Sequence, residues 1–227
     1  MTTPGLGSTA YIESTHPTIV RFAQAAILTA ATTREKAIKL YYAVRDGIRY
    51  NPYCTSLTKA HYRASYVLQA GQGFCVQKAI LLAAAARAVG VPCRLGYAIV
   101  KNHLATQKLI EIMQTDLFVF HGYTVMQIDG AWVKATPAFD LALCEKFGVI
   151  PLEFDGRTDS IFHPYDREGK RHMEYVHDYG LFDDFPFETM CAEFKHYYPR
   201  MYAQLAELGD SSPAQGTDFR GEPLLKA

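Results

Sequence analysis

Long apolar runs are missing from this 227-residue chain: even the stretch 75–89 is interrupted by Gln77, Lys78 and Arg87, so no membrane span is expected. The start, Met1-Thr2-Thr3-Pro4-Gly5-Leu6-Gly7, lacks both the basic residues and the apolar core of a secretory leader. An excess of either charge is missing as well. Lysine plus arginine and aspartate plus glutamate number 23 each, which leaves no electrostatic footprint for nucleic acid or an anionic membrane. Close cysteine pairs are absent, and the five cysteines (Cys54, Cys75, Cys93, Cys144, Cys191) cannot all be bridged. Reduced thiols in a cytoplasmic protein are expected. No His-Glu-x-x-His helix or cysteine pair accompanies His172, Glu174, His177 and Asp178, so these are expected to be surface side chains rather than metal ligands. Neither a metal nor another cofactor is expected, the partner is a small molecule or peptide, and the oligomeric state is left open.

What is present suits one compact unit. Hydrophobic residues make up 49% of the chain, enough for one sizeable core. Residues 18–31 put Ile19, Phe22, Ala26, Ile27 and Ala30 on one helical face, and Thr32-Thr33-Arg34-Glu35 supplies a capping box for a second helix carrying Ile38, Tyr41, Tyr42, Arg45 and Ile48. Asn51-Pro52-Tyr53 ends that helix, and 63–68 forms a short one.

The chemistry begins at Gly71-Gln72-Gly73-Phe74-Cys75, a glycine-rich turn running into the apolar stretch 79–89. Cys75 therefore falls in the first turn of a buried helix, where unpaired N–H groups and the helix dipole favour thiolate. Gly90-Val91-Pro92 stops the helix and 93–100 reads as a strand. Further on, 118–128 and 131–135 are rich in β-branched and aromatic residues and flank Asp129-Gly130, the signal for a type I′ hairpin. That places His121 on a strand.

Three groups of residues, Gly73-Phe74-Cys75, Ala88-Val89-Gly90-Val91-Pro92-Cys93-Arg94, and His121-Gly122-Tyr123 followed by Gly130-Ala131-Trp132-Val133, occur in an order that resembles the transglutaminase-like superfamily of papain-type cysteine enzymes. The resemblance covers residues 45–140. It implies an α+β fold with a papain/transglutaminase-like core, in which N-terminal helices and a central nucleophile helix pack on an antiparallel sheet. The expected organisation is a single domain over 1–208, with a core at 17–140 and a C-terminal elaboration at 141–208, and a flexible tail at 209–227. The implied activity is that of a cysteine-dependent hydrolase or acyltransferase acting on an amide or thioester bond. Cys75 attacks the acyl carbon, His121 takes the thiol proton and passes it to the leaving group, and water or an amine resolves the thioester. Peptidase, amidase, deamidase and transglutaminase share this first step.

The third catalytic member departs from the family pattern. The usual aspartate, four residues after the strand tryptophan, is here Thr136. Continuing the hairpin ladder would set Tyr123 against Thr136 and His121 against Ala138, leaving Thr136 and Asp140 as diagonal neighbours of the imidazole. Asp140 is expected to be the orienting group because a carboxylate also stabilises imidazolium. Its other reading is a helix N-cap. Gln69 and Gln72 are candidates for the oxyanion site. With Thr136 replacing the carboxylate, the alternative function is a catalytically silent transglutaminase-like binding protein.

The insertion 101–115, with Leu104, Lys108, Ile110 and Met113, reads as a helix that either packs on the surface or overhangs the cleft. From Phe147 onward the chain reads as aromatic-rich loops wrapping the core.

Overall fold

A computed structural model describes residues 5–103, 105–162, 165, 168–169, 173–211 and 217–224. The chain begins with α1 (Pro17–Ala26) and α2 (Thr33–Gly47), then β1 (Arg49–Tyr50), α3 (Ala64–Ala70) and β2 (Gln72–Gly73). The central helix α4 (Cys75–Ala88) follows, then β3 (Cys93–Asn102), α5 (Gln107–Met113), β4 (Leu117–Ile128), β5 (Ala131–Ala135) and α6 (Leu141–Phe147). Last come β6 (Met173–Phe182), α7 (Phe187–Tyr197) and α8 (Pro199–Leu208). This is the expected α+β class.

Helix α1 is shorter than the apolar face suggested. The Glu35 carboxylate accepts the N–H groups of Ala31 and Thr32 (2.6 and 3.1 Å) while Thr32 Oγ1 accepts that of Glu35 (3.2 Å), so the capping box forms and holds the preceding residues outside any helix. Helix α2 ends at Gly47, earlier than Asn51-Pro52-Tyr53 implied, because Arg49 and Tyr50 pair in parallel with Gln72 and Gly73.

Helix α4 is buried on every side, with α1, α2 and α3 on one flank and the sheet on the other. Its Lys78 is fully buried and donates to the Arg45 and Ile48 carbonyls (2.9 and 2.6 Å) at the end of α2. Burial pushes this ammonium down to about 7. Between that value and the unfolded one of about 10.4 the unfolded chain binds more protons, so this group adds stability as pH rises through the window and carries its full desolvation cost below it. Lys78→Met leaves two buried carbonyls without donors but removes that cost. It is expected to destabilise by about 2 kcal/mol at pH 9 and by close to nothing at pH 6. A gap between the two proteins that stays constant across this range in urea titrations would contradict the assignment.

The larger sheet has the order β5-β4-β3-β6 and is antiparallel throughout. The β4–β5 hairpin turns as expected: Ile128 pairs with Ala131, and both Asp129 and Gly130 have positive φ (50° and 86°), which type I′ requires. The ladder stops short of the expected length. Pairing ends at Thr124–Ala135, where Ala135 turns to a parallel bridge with Ser160 and the Thr136 N–H donates to the Ser160 carbonyl (3.0 Å). Pro137 follows with no N–H to offer. His121 and Ala138 are therefore not ladder partners, and the diagonal argument for Thr136 and Asp140 lapses.

The C-terminal part is more ordered than a set of loops. Strand β6 completes the sheet against β3, and α7 packs on β4. Residues 217–224, expected to be part of a mobile tail, are docked: Phe219 is buried among Tyr50, Tyr53 and Phe147, and Glu222 accepts from the hydroxyls of Tyr53 and Thr106 (2.9 and 2.8 Å).

Candidate active site

Cys75 is the first residue of α4, and the turn before it is built by backbone freedom and one buried amide. Gly71 closes α3 in the left-handed region (φ 63°), which frees the chain to form β2. The Gln77 side chain accepts the Phe74 N–H (3.2 Å) and donates to the carbonyls of His61 and Cys54 (2.9 and 3.4 Å). One residue two positions along the helix thus ties the turn that leads into Cys75 to the 54–61 loop.

On the other side, Gly122 of β4 lies directly on the helix start. A Cβ there would fall 2.8 Å from Val76 Cα and 3.3 Å from the Cys75 carbonyl oxygen. Only glycine permits this approach, which brings the Gly122 N–H, together with that of Val76, to the Cys75 sulfur. Burial nevertheless dominates and pushes the thiol up to about 11, with those N–H groups pulling the other way. The thiolate favoured by the helix start alone is not the resting form, because desolvation penalises the charge more than the dipole rewards it.

His121 is held by an irregular strand. Ala98 pairs with His121 and Val100 with Phe118, so Val119 and Phe120 stand opposite Ile99 alone, and Phe120 takes a φ of 62°. Such a bulge turns the side chain that follows it. The Tyr198 hydroxyl fills the gap in the ladder, accepting the Val119 N–H (2.5 Å) and donating to the Leu117 carbonyl (2.7 Å). The Phe162 ring packs against the imidazole at 5.0 Å. His121 is almost fully buried and, with Cys75, faces a cavity of about 50 Å³ whose walls include Tyr50, Phe74, Leu109 and Tyr198. A cavity of this size admits a water molecule or a small reacting group.

The remaining sequence candidates stand elsewhere. Gln69 is exposed, and the Gln72 side-chain oxygen Oε1 accepts from the side chains of Arg49 and Asn51 (2.6 and 3.2 Å); neither lines the cavity. Thr136 is buried, its hydroxyl beside that of Tyr175 but without hydrogen-bond geometry. Asp140 caps α6: Oδ1 accepts the Leu143 N–H (3.0 Å) and an Arg220 N–H (2.6 Å), and Oδ2 accepts the Tyr50 N–H (2.9 Å). Burial opposes ionisation, but these donors outweigh it and hold the carboxyl below its usual range. Stability from this group is therefore present above about pH 4 and lost as pH falls through the lowered value. Asp140→Ala is expected to cost about 2–3 kcal/mol near neutral pH. Unfolding curves at pH 7 that superimpose on wild type would refute this structural role.

Of the possible metal ligands, His172 lies outside the described residues. Among the described residues no group of three His, Cys, Asp or Glu side chains converges. In the insertion, Leu104 also lies outside them, while α5 turns Leu109 and Met113 toward the cavity. Phe194 of α7, Met201 of α8 and Tyr198 between the two helices join the same wall. Sequence reading missed these helices, although Phe187, Met190 and Phe194 carry the spacing of a buried helical face.

No helix among the described residues is long and apolar enough to cross a membrane. No curated protein matches the chain. Among solved structures it is similar to a candidate cysteine protease of Cytophaga hutchinsonii, with 15% identity and a TM-score of 0.45 over 78% of this chain and 52% of the other. It is also similar to a candidate protease of Parabacteroides distasonis, with 16% identity and a TM-score of 0.39 over 52% of this chain and 23% of the other. The chain thus spans about half the length of the first and less than a quarter of the second. The family model described as the transglutaminase-like superfamily matches residues 20–137, more than half of the sequence and the part that carries both Cys75 and His121, so the chain belongs to that superfamily.

Proposed function

We propose that this protein is a cysteine hydrolase or acyltransferase in which Cys75 is the nucleophile and His121 the acid–base partner. The observation that carries this reading is that the two side chains face one small cavity, with the Gly122 and Val76 N–H groups at the sulfur. The Cys75 sulfur bonds to the acyl carbon of an amide or thioester while the thiol proton passes to His121. The tetrahedral intermediate then expels the amine or thiol, which takes that proton, and a thioester remains on Cys75. Water or an amine attacks the thioester with His121 now acting as base. Backbone N–H groups at the start of α4 are suited to the oxyanion, each worth about 3 kcal/mol in such sites.

Because burial keeps the thiol neutral at rest, proton transfer accompanies attack and no standing ion pair is needed. A papain-like pair would give a bell-shaped pH profile beginning at acidic pH. This reading instead expects alkylation of Cys75 by iodoacetamide to keep rising from pH 7 to 10, and a plateau reached below pH 7 would refute it. Five free cysteines favour a reducing, cytoplasmic setting.

Thr136 in place of the usual carboxylate favours a second reading, a silent fold used for binding. Intact mass spectrometry after rapid quench, over a panel of amides and thioesters, separates the two. An acyl adduct on the Cys75 peptide that decays with turnover is the expected result. A protein that stays unmodified across the panel, while binding one of its members, is the silent one.

A further inference from the structure

A second cavity, of about 190 Å³, opens between α5 and α8 and shares Pro52, Thr55, Leu109 and Met201 with the cavity that holds Cys75. Beyond those four its walls include Ile112 and Leu205. Lys108 is the charged side chain among its described lining residues, and it is already committed: its Nζ lies 3.2 Å from Glu222 and 4.7 Å from the centre of the Tyr53 ring. Thr55, Gln204 and Thr217 add uncharged polar groups to an otherwise largely apolar lining, so the groove offers an acyl chain mainly apolar contact and no available charge.

Two larger clefts, of about 370 and 390 Å³, flank Tyr175, but they are lined by His103, Glu174, Lys134 and Asp178, and Cys75 faces neither. Among the clefts described, the groove between α5 and α8 is adjacent to the cavity of Cys75, with Pro52, Thr55, Leu109 and Met201 lining both. During turnover the acyl group stays bonded to that sulfur, whereas the leaving amine or thiol must depart to water. A groove that borders the cavity of the sulfur and lies between apolar helix faces suits the part that stays.

We infer that the groove between α5 and α8 is an acyl-chain subsite, and that the substrates of this protein are amides or thioesters of neutral aliphatic acids rather than of charged or polar ones. The inference rests on Cys75 being the nucleophile. Helix α5, read from sequence as a surface helix or a lid, acquires a definite role as one wall of the subsite.

The test uses the full chain and S-phenyl thioesters from acetyl to hexanoyl, following thiophenol release and the mass of the Cys75 peptide, with iodoacetamide as a chain-free probe. Each methylene that leaves water for the groove is expected to raise the acylation rate about fourfold, which corresponds to about 0.8 kcal/mol. Hexanoyl should then exceed acetyl by about two orders of magnitude. The hexanoyl-to-acetyl ratio, read within each protein, should fall below about tenfold in Ile112→Glu, a half-buried position. Leu205→Trp, which fills the groove without charge, should lower the ratio too.

A flat series in the wild type, with acetyl transfer and iodoacetamide labelling intact, overturns the subsite and leaves the nucleophile standing. Ratios unchanged in both variants, each shown to be folded by its unfolding transition, overturn it as well. Failure of Cys75 to react with acetyl donor or iodoacetamide at any pH up to 10 overturns the nucleophile and the subsite together.

Discussion

On the proposed mechanism, Cys75→Ala is expected to lower acyl transfer by at least about four orders of magnitude while leaving the protein folded. The rate loss follows from removing the atom that bonds to the acyl carbon, since surviving oxyanion donors and binding contacts retain only a small part of such catalysis. The stability cost is small because one sulfur at the edge of a cavity is lost and no buried charge is left behind, so about 1 kcal/mol is expected. Cys93→Ala is the contrasting variant. Its sulfur is completely buried and its S–H donates to the Ala83 carbonyl (3.3 Å), yet it lines no part of the cavity that Cys75 and His121 face. It should lose about 1–2 kcal/mol of stability and keep most of its activity. Initial rates with a thioester donor and urea midpoints for both variants decide the matter. Comparable rate losses in two folded variants would remove the reason for singling out Cys75.

Gly122→Ala should have the next largest effect, although it adds a single methyl group. At 2.8 Å from Val76 Cα the new Cβ is closer than atoms of this kind pack, and what it meets is helix backbone, which cannot rotate away as a side chain could. Strand β4 must therefore move off the start of α4, taking the Gly122 N–H from the Cys75 sulfur and shifting His121, the residue before it. A displacement of this scale costs about 100-fold in rate, and overpacking costs about 2–3 kcal/mol in stability. Gly47→Ala provides a control, because a Cβ there meets nothing within 4 Å and φ is not positive. It should be neutral or stabilise by a few tenths of a kcal/mol. If Gly122→Ala turns over like wild type, β4 does not position His121 through this contact.

The disagreement over the third catalytic member is one of range. Assigning Asp140 to His121 required the β4–β5 ladder to run past Thr136, and pairing preferences alone allowed it. The parallel bridge to Ser160, twenty-five residues beyond Ala135, claims the Thr136 N–H instead. Asp140 is then taken by the N–H groups of Leu143 and Tyr50 and by Arg220, the last from a segment whose composition suggested mobility. The Leu143 bond is the N-cap that the sequence offered as the other reading, but nothing near Asp140 announces Tyr50 or Arg220, 90 and 80 residues away.

Features that depend on a few adjacent residues were legible in the sequence. The capping box at Thr32, the Asp129-Gly130 turn, the register of Ile128 on Ala131 and the position of Cys75 at the head of α4 all follow from local backbone preference and apolar spacing, and each has the expected form. The family, too, could be read from the order of three short motifs. Tertiary structure decided what surrounds them: burial raises the Cys75 thiol, Tyr198 between α7 and α8 fills the bulge that precedes His121, and α5 with α8 frames the groove that borders the cavity of the sulfur. Desolvation and cavity shape are set by groups brought together from distant parts of the chain, and a local pattern carries no record of them.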